Sequence, residues 1–435
     1  MKKVLSFLFA FILIISLMIS TLCVNAADFG CNVVTSSKSI YMENLDTGTV
    51  VYEKNADEKL PPASLTKMMT YIVVCENVPD LENTMVTVTD EALAGLDPES
   101  SVMGLTSCIG QQVSVLDLLY GLMIPSGNDA AIVLANFVGD GSVDTFVDMM
   151  NSKSGQLGCN STHFVNPHGL YDSNHYSTAR DLAIISKYAA EKPYFTEIES
   201  KVTYNVSSVN LDLETTNYMI DPSYPKYYYE YVEGGKTGYT DEAGKCLSST
   251  AKKDDYRYMC IALGAPYSFT EDVNYAMLDT KEMYEWAFSN ISFVELMPAE
   301  KVIEELSVEY KWGSVFVDAV TEKGVEALLP SGYDESLITS EVDLPDYVSA
   351  PIEKGEVFGT ASVYYDGEFV GKTNIVAAET IERDESNYNM HRFISFVVEN
   401  IVLLSIISVA LIIGVAVMIS SHRNKKRRNS RRRYR

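Results

Sequence analysis

A serine and a lysine stand three residues apart in the segment PPASLTKMMT, residues 61–70. If this segment is helical, Ser64 and Lys67 lie one turn apart on one face, so the amine can reach the hydroxyl and act as its base. The backbone N–H groups at a helix start also favour a developing negative charge. The simpler interpretation is a polar residue at a helix start, because Ser-x-x-Lys recurs at Ser223 and Ser249. The pair alone permits nucleophilic catalysis without establishing it.

Two further motifs follow Ser64 and Lys67 along the chain. They are Ser126-Gly127-Asn128 and Lys236-Thr237-Gly238. Taken singly, the first is more simply a polar turn and the second an exposed cation on a strand. The order, however, is that of Ser-x-x-Lys, Ser-Asp-Asn and Lys-Thr-Gly, the signature of penicillin-binding proteins and class A β-lactamases, with Gly127 in place of the central Asp. The three motifs together therefore indicate a serine acyl-transfer site.

The elements that must position these motifs can be predicted from periodicity. Residues 39–52 form two β-like runs around an Asp-Thr-Gly turn, which predicts a hairpin. After Pro61-Pro62, apolar residues at helical spacing from Leu65 to Val73 predict a helix. Further helices are predicted at 114–122, 129–137 and 178–191, and strands from 233 to 265. Strands, then helices, then strands indicate an α+β fold.

The character of the chain changes after about residue 293. Short strands with glycine turns follow, which predicts a separate all-β module of roughly 90 residues. Residues 384–392 are polar and are interpreted as a linker. The predicted organisation is a signal peptide at 1–26, a catalytic domain at 27–290, a β-rich domain at 291–383, the linker, a transmembrane helix at 393–419 and a basic tail at 420–435.

The sequence predicts a membrane-targeting segment at the N-terminus and a membrane-spanning segment near the C-terminus. An apolar run from Val4 to Leu22 and the small-residue pattern Val24-Asn25-Ala26 indicate a signal peptide cleaved before Ala27. Ile401–Ile419 contains 19 residues without a charge, enough for a tilted span. The nine Lys and Arg residues that follow favour a cytoplasmic tail over a nucleic-acid-binding segment. We therefore expect a single-pass cell-membrane protein with residues 27–390 outside the cytoplasm.

The net charge and the cysteines of the exported part limit how it can bind an anionic substrate or a metal ion. The net charge is −25, and without the +2 of residues 1–26 and the +9 of residues 421–435 it is −36. So acidic a domain does not attract anions through its overall field, and an anionic substrate must be held by local cations. Six cysteines remain after Ala27, without metal-ligand spacing, so no metal site is predicted. Disulfides are permitted in an exported domain, but the sequence alone cannot pair these cysteines. No cofactor is predicted.

With all three motifs in place, the chain resembles the D-alanyl-D-alanine carboxypeptidases, low-molecular-mass penicillin-binding proteins of bacterial cell walls. The resemblance extends from about Ser39 to Glu379 and includes the loop and helix from Asn166 to Ile185. It implies a catalytic domain of the β-lactamase and DD-peptidase type, with an antiparallel sheet and a helical lobe, and a C-terminal β domain. It also implies peptidoglycan stem peptides ending in D-Ala-D-Ala as substrates and β-lactams as covalent inhibitors.

The resemblance implies a role for each motif residue. Ser64 is the nucleophile, Lys67 the base and Ser126 the proton relay to the leaving amine. Asn128 holds the substrate amide and Lys67, and Lys236 with Thr237 binds the terminal carboxylate. Gly238 lets the substrate lie against the strand edge. The oxyanion donors are the backbone N–H groups of Ser64 and Tyr239. These donors and the three motifs complete the implied site.

Three features of the sequence complicate these assignments. His168 permits a Ser-His-Asp alternative, but Lys67 already supplies a base, so a structural role for His168 in its loop is favoured. The family often carries an arginine after the segment corresponding to Ala262–Ala265, whereas residues 266–280 contain no Arg or Lys. Carboxylate binding is therefore expected to rest on Lys236 and Thr237 alone. The usual family anchor is an amphipathic helix, and this one is predicted to span the bilayer.

Two other functions fit the same fold. A β-lactamase would need a base for rapid deacylation, and no Glu-x-x-Leu-Asn segment lies between the second and third motifs. A non-catalytic penicillin sensor would have little reason to keep all three motifs. It would also need a cytoplasmic effector domain, for which the 16 residues after Ile419 are too short. Both alternatives are therefore less favoured than a carboxypeptidase.

Overall fold

The computed structural model describes residues 29–431 apart from residues 98–99, 269–272, 312 and 314. The described residues form two compact units. The first unit ends at Ser292 and also includes Leu328–Tyr333, and the second contains Phe293–Ala327 and the residues from Asp334 onward. The predicted signal peptide and the last four residues of the predicted tail lie outside the described part.

The first unit is built on a five-stranded antiparallel sheet with the order β2-β1-β9-β8-β7. The predicted hairpin at 39–52 forms its β1 and β2, and the predicted strands between 233 and 265 form the other three strands. The Lys-Thr-Gly motif therefore lies on an edge strand, where one side of the backbone is open to a ligand. The bounds are β1 Ser39–Asn44, β2 Val50–Lys54, β7 Val232–Thr240, β8 Gly244–Lys253 and β9 Tyr256–Ala265.

Strand β9 is buried on both faces because helices cover the sheet on each side. Its residues Met259, Ile261 and Leu263 join a large apolar core shared with the helical lobe. Alternate side chains point the opposite way, and Cys260 contacts Thr280 of a long helix on that other face. Burial on both faces explains why the sequence of β9 is almost continuously apolar.

Seven helices of the described first unit surround this sheet. The helices predicted at 114–122, 129–137 and 178–191 are confirmed to within a residue or so. Ser114 and Thr178 accept hydrogen bonds from the backbone N–H groups of Asp117 and Asp181 and so fix two helix starts. The helices are α1 Lys67–Asn77, α2 Val115–Met123, α3 Asn128–Val138, α4 Val143–Gln156, α5 Ala179–Ala190, α6 Phe195–Glu199 and α7 Tyr275–Asn290.

Short elements connect these helices and strands. Short 3₁₀ helices lie at Ala63–Thr66 and Leu105–Cys108. Three two-stranded ribbons pair β3 with β4, β5 with β6 and β10 with β11. Their bounds are β3 Met85–Thr87, β4 Gln112–Ser114, β5 Thr203–Val206, β6 Leu211–Glu214, β10 Tyr267–Ser268 and β11 Val273–Asn274.

The second unit contains a six-stranded sheet with the order β16-β18-β19-β14-β13-β17. Its core is apolar and includes Leu306, Val317, Val363 and Ile375. The all-β character predicted for this region is confirmed. The strands after α7 are β12 Ile291–Met297, β13 Val302–Glu309, β14 Phe316–Thr321, β15 Val325–Pro330, β16 Ile338–Asp343, β17 Tyr347–Ser349, β18 Val357–Tyr365 and β19 Glu368–Ala377, with a 3₁₀ turn at Glu335–Leu337.

The C-terminal helices differ from the prediction. The segment interpreted as a linker, 384–392, is largely helical, because α8 runs over Glu385–Glu399 and Asp384 caps its first N–H groups. A second helix, α9, spans Ile401–Arg431. Within the described residues, Ile401–Arg423 is apolar and long enough to cross a bilayer, and none of it is buried inside the protein. The candidate span therefore begins at 401 and not at 393.

Candidate active site

Ser64 lies in a tight turn and not in the α-helix itself. The 3₁₀ helix Ala63–Thr66 carries it, and α1 begins only at Lys67. In a 3₁₀ turn the side chains at i and i+3 eclipse each other, so Ser64 and Lys67 meet as the spacing predicted. Ala63 has a φ of +48°, which is unusual for a residue with a Cβ. This turn sets the serine at the end of the helix that carries the lysine.

Lys67 is fully buried and makes three hydrogen bonds through its Nζ. It donates to Ser64 Oγ at 2.8 Å, to Asn128 Oδ1 at 2.6 Å and to the backbone carbonyl of His168 at 2.9 Å. Burial holds the pKa of Lys67 well below its usual range, and the charge of Lys236 lowers it further, against the opposing effect of Asp129. A lysine with a lowered pKa, next to a serine hydroxyl, can act as a general base.

The second motif forms the turn between α2 and α3, as predicted. Ser126 is buried with a φ of +63°, and its Oγ has no hydrogen-bond partner among the described residues. Asn128 is the first residue of α3 and accepts from Lys67. The buried Asp129 accepts from the backbone N–H groups of Met103, Gly104 and Leu105, which anchors the start of this helix.

The third motif lies on edge strand β7 with its side chains alternating. Lys236 is buried, donates to the Thr237 carbonyl at 2.8 Å, and has a pKa lowered to about 7 by burial. Gly238 lies directly against the serine turn: a Cβ there would come within 3.0 Å of the backbone nitrogen of Ser64. Only glycine fits between this strand and Ser64 without displacing one of them.

The three motifs meet at one cleft of the first unit, with a volume of about 480 Å³. Ser64, Ser126, Asn128, Thr237 and Gly238 line it, whereas Lys67 and Lys236 are buried side chains. The oxyanion donors implied by the resemblance, Ser64 and Tyr239, also line the cleft. The structure therefore brings the predicted site residues into one neighbourhood, and their individual roles stay predictions.

The loop that contains His168 contributes its backbone to the site. The His168 carbonyl accepts from Lys67, while the ring Nδ1 accepts from the backbone N–H of Leu170. Burial, with smaller effects of the Lys67 and His175 charges, lowers the pKa of His168 to about 3, so the ring is neutral. Gly169 has a φ of +92°, and a Cβ there would lie 1.9 Å from the Ala63 carbonyl. This loop therefore packs against the serine turn.

Sequence reasoning missed several groups at the site. The hydroxyls of Thr216 and Thr237 are hydrogen-bonded to each other beside the cleft. Thr216, Tyr218 and Lys245 also line it. No motif signal marks these residues, since each is brought to the cleft by the packing of loops and strands. Within the described part of the chain, no group of three or more His, Cys, Asp or Glu side chains is arranged to hold a metal ion.

Comparison with known proteins gives two family matches. Residues 27–267 match a family model described as D-alanyl-D-alanine carboxypeptidase. Residues 293–383 match the C-terminal domain of penicillin-binding protein 5. The second match fits the all-β core of the second unit.

Individual relatives are similar over most of their length. D-alanyl-D-alanine carboxypeptidase DacF of Bacillus subtilis is 31% identical over 88% of this chain and 95% of its own. DacA of Escherichia coli is 31% identical over 79% of this chain and 83% of its own. The crystal structure of penicillin-binding protein 5 from Haemophilus influenzae is 30% identical, with a TM-score of 0.60 over 81% of this chain and 99% of that one. Penicillin-binding protein D2 of Listeria monocytogenes, solved with ampicillin bound, is 29% identical, with a TM-score of 0.50 over 59% of this chain and 100% of that one.

Proposed function

Because the chain belongs to the D-alanyl-D-alanine carboxypeptidase family and is a penicillin-binding serine peptidase, we propose that Ser64 is its nucleophile and Lys67 its base. The observation that carries this proposal is the 2.8 Å hydrogen bond between Lys67 Nζ and Ser64 Oγ in a buried site. The substrate is a peptidoglycan stem peptide that ends in D-Ala-D-Ala, and β-lactams acylate the same serine.

Acylation begins when the neutral Lys67 amine takes the proton of Ser64 Oγ. The oxygen attacks the carbonyl carbon of the penultimate D-Ala, and the negative charge that forms on the carbonyl oxygen is stabilised by the N–H groups of Ser64 and Tyr239. The close approach of Gly238 to the Ser64 nitrogen supports this arrangement, since it brings strand β7 beside the nucleophile.

Loss of the terminal D-Ala requires a proton on its amine. Ser126 Oγ is buried and lacks a partner among the described residues, so it can pass a proton from Lys67 to the leaving nitrogen as the C–N bond breaks. The product is an ester on Ser64, which water hydrolyses to regenerate the serine. Asn128 holds Lys67 in place through the 2.6 Å contact.

The location of the enzyme is part of the same proposal. Residues 27–290 form the exported catalytic domain and residues 291–383 the β-rich domain. The apolar helix Ile401–Arg423 anchors the chain in the cell membrane. The nine Lys and Arg residues from Arg423 to the end then stay in the cytoplasm. This arrangement keeps the cleft on the side where peptidoglycan is found.

Release of D-alanine from a pentapeptide ending in D-Ala-D-Ala tests the function. The wild-type protein is expected to release one D-alanine per peptide and to be labelled by fluorescent penicillin, whereas Lys67→Ala is expected to do neither at a comparable rate. A wild-type protein that hydrolyses nitrocefin rapidly but releases no D-alanine would indicate a β-lactamase. A protein that binds penicillin and turns over neither substrate would indicate a sensor.

A further inference from the structure

The arginines of the catalytic domain are committed to ion pairs away from the cleft. Residues 27–290 contain two arginines, Arg180 and Arg257. Arg180 pairs with Glu53 and Asp57, and Arg257 pairs with Glu233. Neither arginine lines the cleft. The guanidinium that the family often uses for the substrate carboxylate is therefore not available in this chain.

Lys236 supplies little positive charge for binding the substrate carboxylate. Its ammonium is buried, donates to the Thr237 carbonyl, and faces the second buried lysine of the site. Burial lowers its pKa to about 7, so only part of the protein carries this charge at neutral pH. The surrounding domain has a large negative charge, and Asp97 and Asp241 also line the cleft. A carboxylate bound here needs a further local cation.

Strand β8 brings such a cation to the rim of the cleft. Of the described residues that line the cleft, Lys245 alone carries a positive charge. It pairs with Tyr239 across the ladder, so its side chain lies on the same sheet face as Tyr239 and Thr237. Diagonal neighbours such as Thr237 and Lys245 have Cα atoms about 7–8 Å apart, which a lysine side chain spans.

Two aromatic rings hold this ammonium in position. Lys245 Nζ lies 4.1 Å from the ring centre of Tyr239 and 4.2 Å from that of Tyr267. The rings contact each other edge to face at 5.4 Å, and the Tyr239 hydroxyl donates to Asp241 Oδ1 at 2.6 Å. The cation–π contacts therefore fix the position of this ammonium at the rim of the cleft.

Resting on the proposed carboxypeptidase function, we propose that Lys245 binds the terminal carboxylate of the substrate together with the hydroxyl of Thr237. Lys245 thereby takes the place of the family's arginine and selects peptides with a free C-terminal carboxylate. This extends the assignment made from the sequence, in which Lys236 and Thr237 act alone.

The test compares two substrates that differ only in the carboxylate. One is an acyl-D-alanyl thioester whose leaving group ends in a carboxylate, and the other is the same thioester with that carboxylate blocked as a methyl amide. Lys245→Met is expected to lower kcat/KM for the first substrate about 10- to 100-fold, the usual effect of losing a charged hydrogen bond. For the blocked substrate, Lys245→Met is expected to stay within about threefold of wild type.

Two control variants accompany this measurement. Lys245→Arg is expected to restore most of the preference for the carboxylate substrate. Lys252→Met changes an exposed lysine on the same strand, outside the cleft, and is expected to leave both rates within about twofold of wild type. The ratio between the two substrates does not depend on the fraction of folded protein, so a partly unfolded variant still gives a clear result.

The outcomes separate this proposal from the proposed function. Equal loss on both substrates, or no loss on either, would overturn the role of Lys245 while leaving Ser64 as nucleophile. Turnover of neither substrate by the wild type, or turnover that survives Ser64→Ala, would instead overturn the proposed function. Only a selective loss on the carboxylate substrate, restored by arginine, supports Lys245 as the carboxylate-binding residue.

Discussion

Replacing Gly238 by alanine adds one methyl group at the closest approach between strand β7 and the nucleophile. The new Cβ would lie 3.0 Å from the Cβ of Ala63, 3.0 Å from the backbone nitrogen of Ser64 and 3.2 Å from the Pro62 carbonyl. These neighbours belong to the chain segment that carries the serine, and they are backbone atoms or a methyl group with no freedom to rotate away. The strand or the serine turn must therefore move.

The size of the movement sets the size of the effect. Carbon atoms in contact prefer separations of about 3.5–4.0 Å, and contacts as short as these require the two segments to separate by a few tenths of an ångström. Overpacking of this kind destabilises a protein by about 1–3 kcal/mol. A misplacement of about 1 Å at a reacting centre lowers the rate about 100-fold. The shift at Gly238 is only a fraction of this, so we expect Gly238→Ala to stay folded and to acylate about 3- to 10-fold more slowly.

The assay is the second-order rate of labelling by a fluorescent penicillin, measured beside urea unfolding. The matched control is Gly155→Ala in helix α4, where an added Cβ meets nothing within 4 Å and φ is not positive. That change is expected to stabilise the helix by about 0.5–1 kcal/mol and to leave acylation unchanged. The same chemical change thus has opposite effects on stability at the two positions. A folded Gly238→Ala protein that acylates within about twofold of wild type would refute the close-approach argument.

The other predictions concern protonation, anchoring of the second motif and the membrane. Because the charge of Lys236 lowers the pKa of Lys67, Lys236→Met should raise that pKa and move the acid limb of the acylation pH profile to higher pH; an unmoved limb would contradict the charge coupling. Asp129→Asn removes acceptors for buried backbone N–H groups and should lower the free energy of unfolding by roughly 3 kcal/mol, measured in urea; an unchanged midpoint would show that these bonds do not matter. Burial lowers the pKa of His175 to about 4, so the unfolded state takes up a proton first, and this residue should lower stability by about 2 kcal/mol at pH 5. His168, with a pKa of about 3, contributes a similar fall, so His175→Gln should reduce the slope without abolishing it, and an unchanged slope would show that His175 does not contribute. A chain ending at Asn400 should leave the membrane fraction on cell fractionation, and its retention there would show that another segment anchors it.

The contact between Ser64 and Lys67 could be predicted from their spacing because it does not depend on the type of helix. Side chains three residues apart meet in both an α-helix and a 3₁₀ turn. The predicted helix start was nevertheless too early, since α1 begins at Lys67. The left-handed backbone of Ala63 and Ser126 could not be predicted, because their residue types do not favour it and tertiary contacts must hold it in place.

Groups that act through their backbone or through remote packing leave no residue-type signal. The His168 carbonyl binds Lys67, and any residue at that position could supply a carbonyl. The glycine at position 169 is the residue-type signal that this loop packs against the serine turn, because its positive φ and its approach to Ala63 require glycine. Lys245 lies at the cleft only because β8 pairs with β7 in one register, and register is a property of the assembled sheet.

The fold was predictable where periodicity was strong. The hairpin, the helices around residues 115–138 and the strands β7 to β9 follow from alternation and turn residues. The helix α8 was missed because residues 384–392 are polar and lack an apolar stripe, which is also typical of a linker. The cap supplied by Asp384 was the available signal, since Asp before a segment without Pro or Gly favours a helix start.

The most direct test of the central claim is to locate the covalent bond that penicillin forms with the protein. After labelling and digestion, mass spectrometry of the wild-type protein is predicted to find the adduct on the peptide that contains Ser64, and Ser64→Ala is predicted to carry none and to release no D-alanine from a D-Ala-D-Ala pentapeptide. An adduct on any other residue, or D-alanine release that survives Ser64→Ala, would contradict the assignment of Ser64 as the nucleophile.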